Sequence, residues 1–243
     1  TPVTLIGVDG AKGGWISVWA GVGSAGPDVR MFMDFAELVS AAPDGAVIAV
    51  DMPMGLGERT EPGGRACEIA ARAFLGGVRA RSVFSTPSAR AIHAESYEAA
   101  CAIVREDLPE RLGLSKQSWM IAPKIREVEA VVRARPQVVI RESHPEMAFA
   151  LMNGGAGLFP SKKSAEGQAD RLGLLKRQGF NAALHLAGRP QGCGADDLID
   201  AFACLWAAGR IAAGSARGFG AGADYHGQQM DLGLGRGSGL GLR

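Results

Sequence analysis

A long apolar helix is predicted to begin at Asp196-Asp197-Leu198-Ile199-Asp200-Ala201-Phe202-Ala203, near the C-terminal end of the sequence. Asp197 and Asp200 lie three residues apart and therefore share one helical face. Asp196 or Asp197 can cap the helix, because the free N–H groups and the dipole at a helix start favour acids. Asp200 lies one turn further in, where a buried carboxylate is costly unless it is paired or holds a cation. Capping with a solvated face and metal binding both remain open for this segment.

The first 51 residues predict the order β-β-β-α-β, in which two of the strands end in an aspartate. Asp9 ends the first strand and Asp51 ends the fourth, which is apolar throughout and suits a strand covered on both faces. A helix follows the third strand, with Asp34 and Glu37 at capping-box spacing. The predicted strands are Val3–Asp9, Trp15–Ala20, Val29–Met33 and Ala46–Asp51, and Val138–Glu142 is a fifth.

Size and composition favour one domain with a single large core, since the chain has 243 residues of which 47% are hydrophobic. Its 26 basic and 25 acidic residues balance, so any contact with nucleic acid has to be local. The four cysteines contain no CxxC pair, which argues against a zinc or redox site. Since we find neither a secretion signal nor an apolar run of about 18 residues, we expect a cytoplasmic protein with no membrane contact.

A long helix is predicted from Pro62 to Phe84, within a helical insertion at about residues 58–135. Arg65, Arg72 and Arg79 follow one another at steps of seven, which places them roughly along one side of such a helix. That side is either a solvated face or a stripe that faces phosphates. The insertion belongs to a domain over residues 1–214, and the Gly-rich residues 215–243 predict a poorly ordered tail.

The four aspartates at the strand ends and on the last helix form the candidate site. Functional groups of an open sheet gather beyond the carboxyl ends of its central strands, so Asp9 and Asp51 are expected to be neighbours. Asp197 and Asp200 would join them from the helix. Carboxylates without His or Cys suit Mg²⁺ or Mn²⁺, and four of them in one pocket would repel each other without cations.

These features resemble the ribonuclease H-like fold, in particular its Holliday junction resolvase branch. In more detail, the sequence is similar, up to about Gly214, to the family known as domain of unknown function 429, whose members are described as predicted nucleases. The motifs that carry the resemblance are Gly7-Val-Asp-Gly10 with Gly13-Gly14-Trp15, Asp51-Met-Pro-Met-Gly-Leu56, Arg81-Ser-Val-Phe84, His144-Pro-Glu146, Lys162-Lys163 and Asp196-Asp-Leu-Ile-Asp-Ala201. The resemblance implies an α/β fold with a mixed sheet, three antiparallel strands followed by parallel strands, flanked by helices.

The resemblance also implies roles for particular residues. Asp9, Asp51, Asp197 and Asp200 take the metal-ligand positions, and Asp51 stands where the resolvases carry Glu. Glu142, His144 and Glu146 are implicated in catalysis, since a histidine beside carboxylates can transfer protons. The alternative is structural: Pro145 ends the strand, Glu146 begins a helix and His144 is a half-buried residue with its hydrogen bonds satisfied.

Basic residues near these motifs are candidates for holding substrate phosphates. Lys162 and Lys163 follow a glycine-rich loop and can reach phosphates as point charges, although a solvated loop is equally compatible with the sequence. The remaining candidates for substrate binding are Lys12, Arg79 and Arg81.

The leading functional hypothesis is a nuclease that hydrolyses phosphodiesters of RNA or DNA with Mg²⁺ or Mn²⁺. A catalytically inactive protein that binds nucleic acid or regulates other proteins is the first alternative, favoured by the charge balance and the missing Glu. An actin-like phosphotransferase is less favoured, because a second copy of the β-β-β pattern is missing. The sequence leaves a homodimer open.

Overall fold

A five-stranded mixed sheet forms the centre of the fold in the computed structural model, which describes residues 3–21, 23–219 and 234–235. The strand order is β3-β2-β1-β4-β5. β1 runs antiparallel to β2, β2 antiparallel to β3, and β1, β4 and β5 run parallel. The strands are β1 (Leu5–Ala11), β2 (Gly14–Ala20), β3 (Asp28–Phe32), β4 (Val47–Val50) and β5 (Val139–Glu142). This arrangement confirms the predicted ribonuclease H-like α/β sheet.

Helices cover both faces of the sheet. On one face, the 18-residue helix α10 packs across β1 and β4 through mostly apolar side chains, with Asp200 as a buried acid among them. On the other face, α1 and α6 cover the same strands through residues such as Phe35 and Ile125. The helices are α1 (Phe35–Ala41), α2 (Ala66–Leu75), α3 (Ala89–Ile92), α4 (Tyr97–Asp107), α5 (Lys116–Met120), α6 (Ala122–Ala134), α7 (Pro145–Met152), α8 (Ala165–Arg177), α9 (Ala183–Leu186) and α10 (Ala195–Ala212).

Gly7 in the middle of β1 allows α10 to lie against the sheet. A Cβ atom at this position would collide with the backbone nitrogen of Leu205 and the backbone oxygen of Ala201. Since both are main-chain atoms of a helix, they cannot move aside as a flexible side chain could. The glycine therefore fixes how closely the last helix approaches β1, the strand that carries Asp9.

The predicted helix from Pro62 to Phe84 is wrong in its extent. α2 ends at Leu75, because Gly76 and Gly77 adopt positive φ angles of 58° and 45° that break the helical path. A 3-10 turn (Gly77–Ser82) follows and carries Arg79 and Arg81. Arg65, Arg72 and Arg79 therefore do not form one row along a single helix. Because Arg65 is only 6% exposed, the three arginines form neither a solvated face nor a stripe that faces phosphates.

The predicted domain limits stay a prediction. The segment between β4 and β5 contains α2 to α6, in line with a helical insertion. Of the predicted tail 215–243, residues 220–233 and 236–243 lie outside the described residues. Ala216–Arg217 (β6) pairs antiparallel with Leu234–Gly235 (β7). Among the helices of the described residues, none is both long and apolar enough to cross a membrane.

Candidate metal centre

Asp9 and Asp51 meet because they lie at the same edge of neighbouring parallel strands. Asp51 directly follows β4, whereas β1 continues past the predicted end at Asp9 to Ala11, because its pairing with β2 extends to the β1–β2 turn. The register pairs Val8 with Val50, and the Asp51 N–H donates to the Val8 carbonyl at 2.9 Å. The carboxylate of Asp9 accepts the Gly10 N–H at 2.7 Å. The two aspartates therefore stand side by side at the carboxyl edge of the sheet, as predicted.

Asp200 joins them from α10. Its side chain is only 1% exposed, one turn inside the helix whose position Gly7 sets. Carboxylate oxygens of Asp9, Asp51 and Asp200 all lie within 4.8 Å of one another. We call these three residues the acidic triad.

The triad is electrostatically strained in the absence of a cation. Burial raises the pKa of Asp9 well above its usual value, and the charges of Asp51 and Asp200 raise it further. Burial likewise raises the pKa of Asp51 to about 7 and that of Asp200 to about 7, although Lys162 acts to lower both. Three carboxylates this close therefore favour protonation, or a cation that lets them stay ionised.

Lys162 supplies one positive charge to the triad. Its Nζ lies 2.5 Å from Oδ2 of Asp200, and its side chain is 37% exposed. Burial acts to lower the pKa of Lys162, but the charges of Asp200, Asp9 and Asp51 outweigh burial and raise that pKa. One ammonium cannot neutralise three carboxylates, so negative charge remains.

The triad fits a divalent metal ion. Oδ1 of Asp200 is buried and has no hydrogen-bond partner among the described residues. The donors are hard carboxylate oxygens, which suit ions such as Mg²⁺, Mn²⁺ or Ca²⁺. An unpartnered buried oxygen beside two further acids is what a cation site requires.

Asp197, the fourth predicted ligand, lies beside this group and is engaged in a helix cap. Its Oδ2 accepts the Gly194 N–H at 2.9 Å at the start of α10. Burial raises the pKa of Asp197, and this hydrogen bond acts to lower it. Its carboxylate is close enough to raise the pKa of Asp9, but it is not one of the three grouped acids.

Glu142 is held by an arginine. Both of its oxygens accept from the Arg65 guanidinium at 2.7 Å, and Oε2 also accepts the Met54 N–H at 2.8 Å. Arg65 further pairs with Glu68 at 2.8 Å, and all three charged side chains are buried. Glu142 therefore anchors the segment after β4 that carries Asp51.

Glu146 keeps one oxygen unpaired. Oε1 accepts from the guanidinium of Arg171, at 2.6 Å from Nη2 and 3.2 Å from Nε. Oε2 is buried without a partner in the described part of the chain. Arg171, fully buried, also donates to the carbonyl of Pro160 at 3.2 Å. It thereby ties Glu146 to the segment that delivers Lys162.

His144 is a half-buried residue whose hydrogen bonds are not all satisfied. Nε2 lies 3.3 Å from the Ser82 carbonyl, which can only accept, so Nε2 is the protonated nitrogen. Nδ1 then carries the lone pair, and it is buried without a partner among the described residues. Burial lowers the pKa of His144, which keeps the ring neutral near pH 7.

One cavity of about 980 Å³ collects the predicted site residues. The acidic triad contributes to its lining, and so do Asp197, Glu142, His144 and Glu146, together with the predicted phosphate contacts Lys12, Arg79, Arg81, Lys162 and Lys163. The structure thus brings together all twelve residues, while their individual roles stay predictions.

The cavity also contains residues that the sequence interpretation missed. Lys124 of α6 donates to the Gly14 carbonyl at 2.6 Å and lies over the Trp15 ring, which ties the helical insertion to the β1–β2 turn. Phe84 and Met120 line the cavity with partly exposed apolar side chains. Of Lys124, Phe84 and Met120, only Phe84 could have been found from the sequence, because it belongs to the Arg81-Ser-Val-Phe84 motif.

Comparison with known proteins identifies the family of the chain and nothing closer. No curated protein and no solved structure matches it. The chain belongs to the family described as protein of unknown function (DUF429), whose model matches residues 7–224.

Proposed function

We propose that this protein is a metal-dependent nuclease that hydrolyses phosphodiester bonds of RNA or DNA with Mg²⁺ or Mn²⁺. The observation that carries the proposal is the acidic triad at the carboxyl edge of a ribonuclease H-like sheet. Carboxylate clusters of this kind hold the cations of many enzymes that act on phosphate esters.

Asp9, Asp51 and Asp200 would hold the ion. It would supply positive charge at the phosphoryl oxygens and would make water more acidic. Oδ1 of Asp200 offers a free donor for it, whereas Glu142 is fully occupied by Arg65 and serves to position the segment after β4.

The remaining residues would bind phosphate and move a proton. Arg79 and Arg81 on the 3-10 turn line the cavity and can donate hydrogen bonds to the non-bridging oxygens of a phosphodiester. Nδ1 of His144, unprotonated and facing no partner in the described part of the chain, can take a proton from attacking water.

The charge pattern supports nucleic acid as the ligand despite the near-zero net charge. Lys12, Arg79, Arg81 and Lys163 line the cavity without an ion pair to any described acid. Such a local group of cations gives phosphate affinity that falls as salt rises.

The test is incubation of the purified protein with Mn²⁺ or Mg²⁺ and a panel of RNA, DNA and branched substrates. We expect cleavage that disappears in EDTA and in Asp9→Asn, while Asp28→Asn, which changes an exposed acid at the start of β3, retains it. Equal cleavage by the wild type and Asp9→Asn would contradict the proposal.

A second candidate is a catalytically inactive protein that binds nucleic acid. The Lys162–Asp200 pair favours it, since an ammonium already partly neutralises the triad. The two candidates differ in the response to metal. A nuclease site should be stabilised against thermal unfolding by Mg²⁺ or Mn²⁺, and an inactive site that uses Lys162 instead should not.

A further inference from the structure

The walls of the cavity rise on several sides of the acidic triad. Four segments build them: the turn after β1 with Lys12, the 3-10 turn and the residues after it with Arg81 and Phe84, the α5–α6 junction with Met120, and the segment before α8 with Lys163. The triad lies at the bottom, where Asp9 is 8% and Asp200 is 1% exposed.

Two apolar side chains stand exposed on these walls. Phe84 is 38% and Met120 is 78% exposed, although each lines the cavity. These side chains offer apolar surface that a ligand in the cavity can cover, which is favourable because it removes that surface from water.

Phe84 is carried by a firmly anchored segment. The Val83 side chain is buried and its carbonyl accepts from Arg72 at 3.0 Å. Two residues after Phe84, the N–H and the hydroxyl of Thr86 both donate to Glu68. The ring therefore belongs to a rigid platform, which binds a flat partner with little loss of conformational entropy.

The platform directly follows the cations of the 3-10 turn. Arg79 and Arg81 precede Phe84 by five and three residues and line the same cavity. A basic surface beside an aromatic ring is the combination that unpaired nucleic acid uses, with phosphates on the cations and a base on the ring.

From this arrangement we infer that the cavity takes an unpaired strand of nucleic acid, one base of which stacks on Phe84 while a phosphate of the same strand reaches the acidic triad. This inference rests on the proposed nuclease function and names its substrate class. A flexible single strand can enter a cavity of about 980 Å³. A duplex is stiff, and its bases are already stacked on each other, so its phosphates stay outside the walls and its bases cannot reach the ring.

Binding is tested on the wild-type protein in EDTA and low salt, where no cleavage occurs. The probes are fluorescein-labelled DNA and RNA strands of roughly 12 nucleotides, a length within known single-strand sites. Each is compared with the same strand in a blunt duplex. We expect the single strand to bind at least tenfold more tightly.

Variants locate the base. Phe84→Ala should lower single-strand affinity at least fivefold, the low end for loss of one stacked base. Phe84→Trp should retain the affinity, and Leu184→Ala, which removes a 75% exposed side chain outside the cavity, should leave it unchanged. Equal affinity of wild type and Phe84→Ala would overturn the inference.

A cleavage comparison separates this inference from the proposed function. With Mn²⁺, cleavage of the single strand in preference to the blunt duplex supports both. Cleavage of the duplex at the same rate overturns the inference alone. Tight single-strand binding that depends on Phe84, without any cleavage, overturns the nuclease proposal and leaves the inferred ligand standing.

Discussion

Replacement of Lys162 by Met should make the stability of the protein depend on a divalent cation. Lys162→Met keeps the length of the side chain and removes its charge. Asp200, which is 1% exposed, then loses its cationic partner at 2.5 Å, and the acidic triad loses the only ion pair that it makes with the described residues. A metal ion can replace the missing ammonium at the same oxygens.

The magnitude follows from the burial of the pair. Removal of one partner of a fully buried ion pair costs about 3–5 kcal/mol. Because Lys162 is 37% exposed, solvent screens part of the interaction and we expect about 2 kcal/mol. For a chain of this length, that corresponds to a fall in Tm of roughly 4–8 °C in EDTA.

The assay is thermal unfolding at pH 8, above the raised pKa of Asp51 and Asp200, in EDTA and in millimolar Mg²⁺ or Mn²⁺. An ion present at about 100 times its Kd stabilises the folded state by about 2.7 kcal/mol, which is enough to offset the loss. We therefore expect Lys162→Met to regain at least half of its Tm deficit when metal is added. Calorimetric titration should show tighter metal binding by the variant.

Lys163→Met is the matched control. Lys163 follows Lys162 in the sequence, and its ammonium is exposed and pairs with no carboxylate of the described residues. This variant should have the wild-type Tm under both conditions. A Lys162→Met deficit of the same size in EDTA and in metal would refute the reasoning, because it would show that no ion takes the place of the ammonium.

Three further predictions concern stability. Since the pKa of Asp200 is raised from 3.8 to about 7, the folded state holds a proton that the unfolded state releases, so the stability of the metal-free protein should fall as pH rises from about 4 to 7. Asp200→Asn should reduce that slope in denaturant titrations at several pH values, and an unchanged slope would be contrary evidence. Gly7→Ala should unfold the protein or destabilise it by more than about 3 kcal/mol, while Gly188→Ala, with open space around it, should change the Tm by less than about 2 °C. Arg65→Met should cost about 3–5 kcal/mol in urea unfolding because Glu142 stays buried without its partner, and a cost below about 1 kcal/mol would show that the pair is dispensable.

The strand ends and the last helix could be predicted because their signals are local. A buried strand that ends in Asp9 or Asp51 places the acid at the carboxyl edge of a parallel sheet, whatever the rest of the chain does. An acid one turn inside an apolar helix likewise predicts that the carboxylate is paired or holds a cation. These two signals were enough to bring the acidic triad together.

The sequence left open whether Asp197 caps the helix or joins Asp200 as a metal ligand. Both residues lie on nearly the same side of α10, and both line the cavity. The Gly194 N–H decides between them, because it binds Asp197 and leaves Asp200 to face Asp9 and Asp51. That distinction depends on the path of the chain before the helix, which local sequence does not specify.

The counter-charges of the site were hidden for a related reason. Arg65 and Glu142 are 77 residues apart, and Arg171 and Glu146 are 25 apart. Helices α2 to α6 lie between Arg65 and Glu142, and Arg171 and Glu146 belong to two successive helices, so no periodicity connects either pair. From the sequence alone, an arginine within a helical pattern is interpreted as part of a solvated face, because the acid with which it pairs is distant along the chain.

The distribution of those counter-charges distinguishes the centre of the site from its support. Both oxygens of Glu142 accept hydrogen bonds from the Arg65 guanidinium. If either oxygen bound a metal ion instead, a buried charge of this ion pair would lose its partner. Among the described residues, the one ion pair made by the three acids of the triad is that of Lys162 with one oxygen of Asp200. If the cluster were only structural, each buried carboxylate would be expected to have its own partner, as Glu142 does. A deficit of positive charge at the bottom of a cavity, beside Glu142 with both of its oxygens paired, is therefore the arrangement that a bound cation would complete.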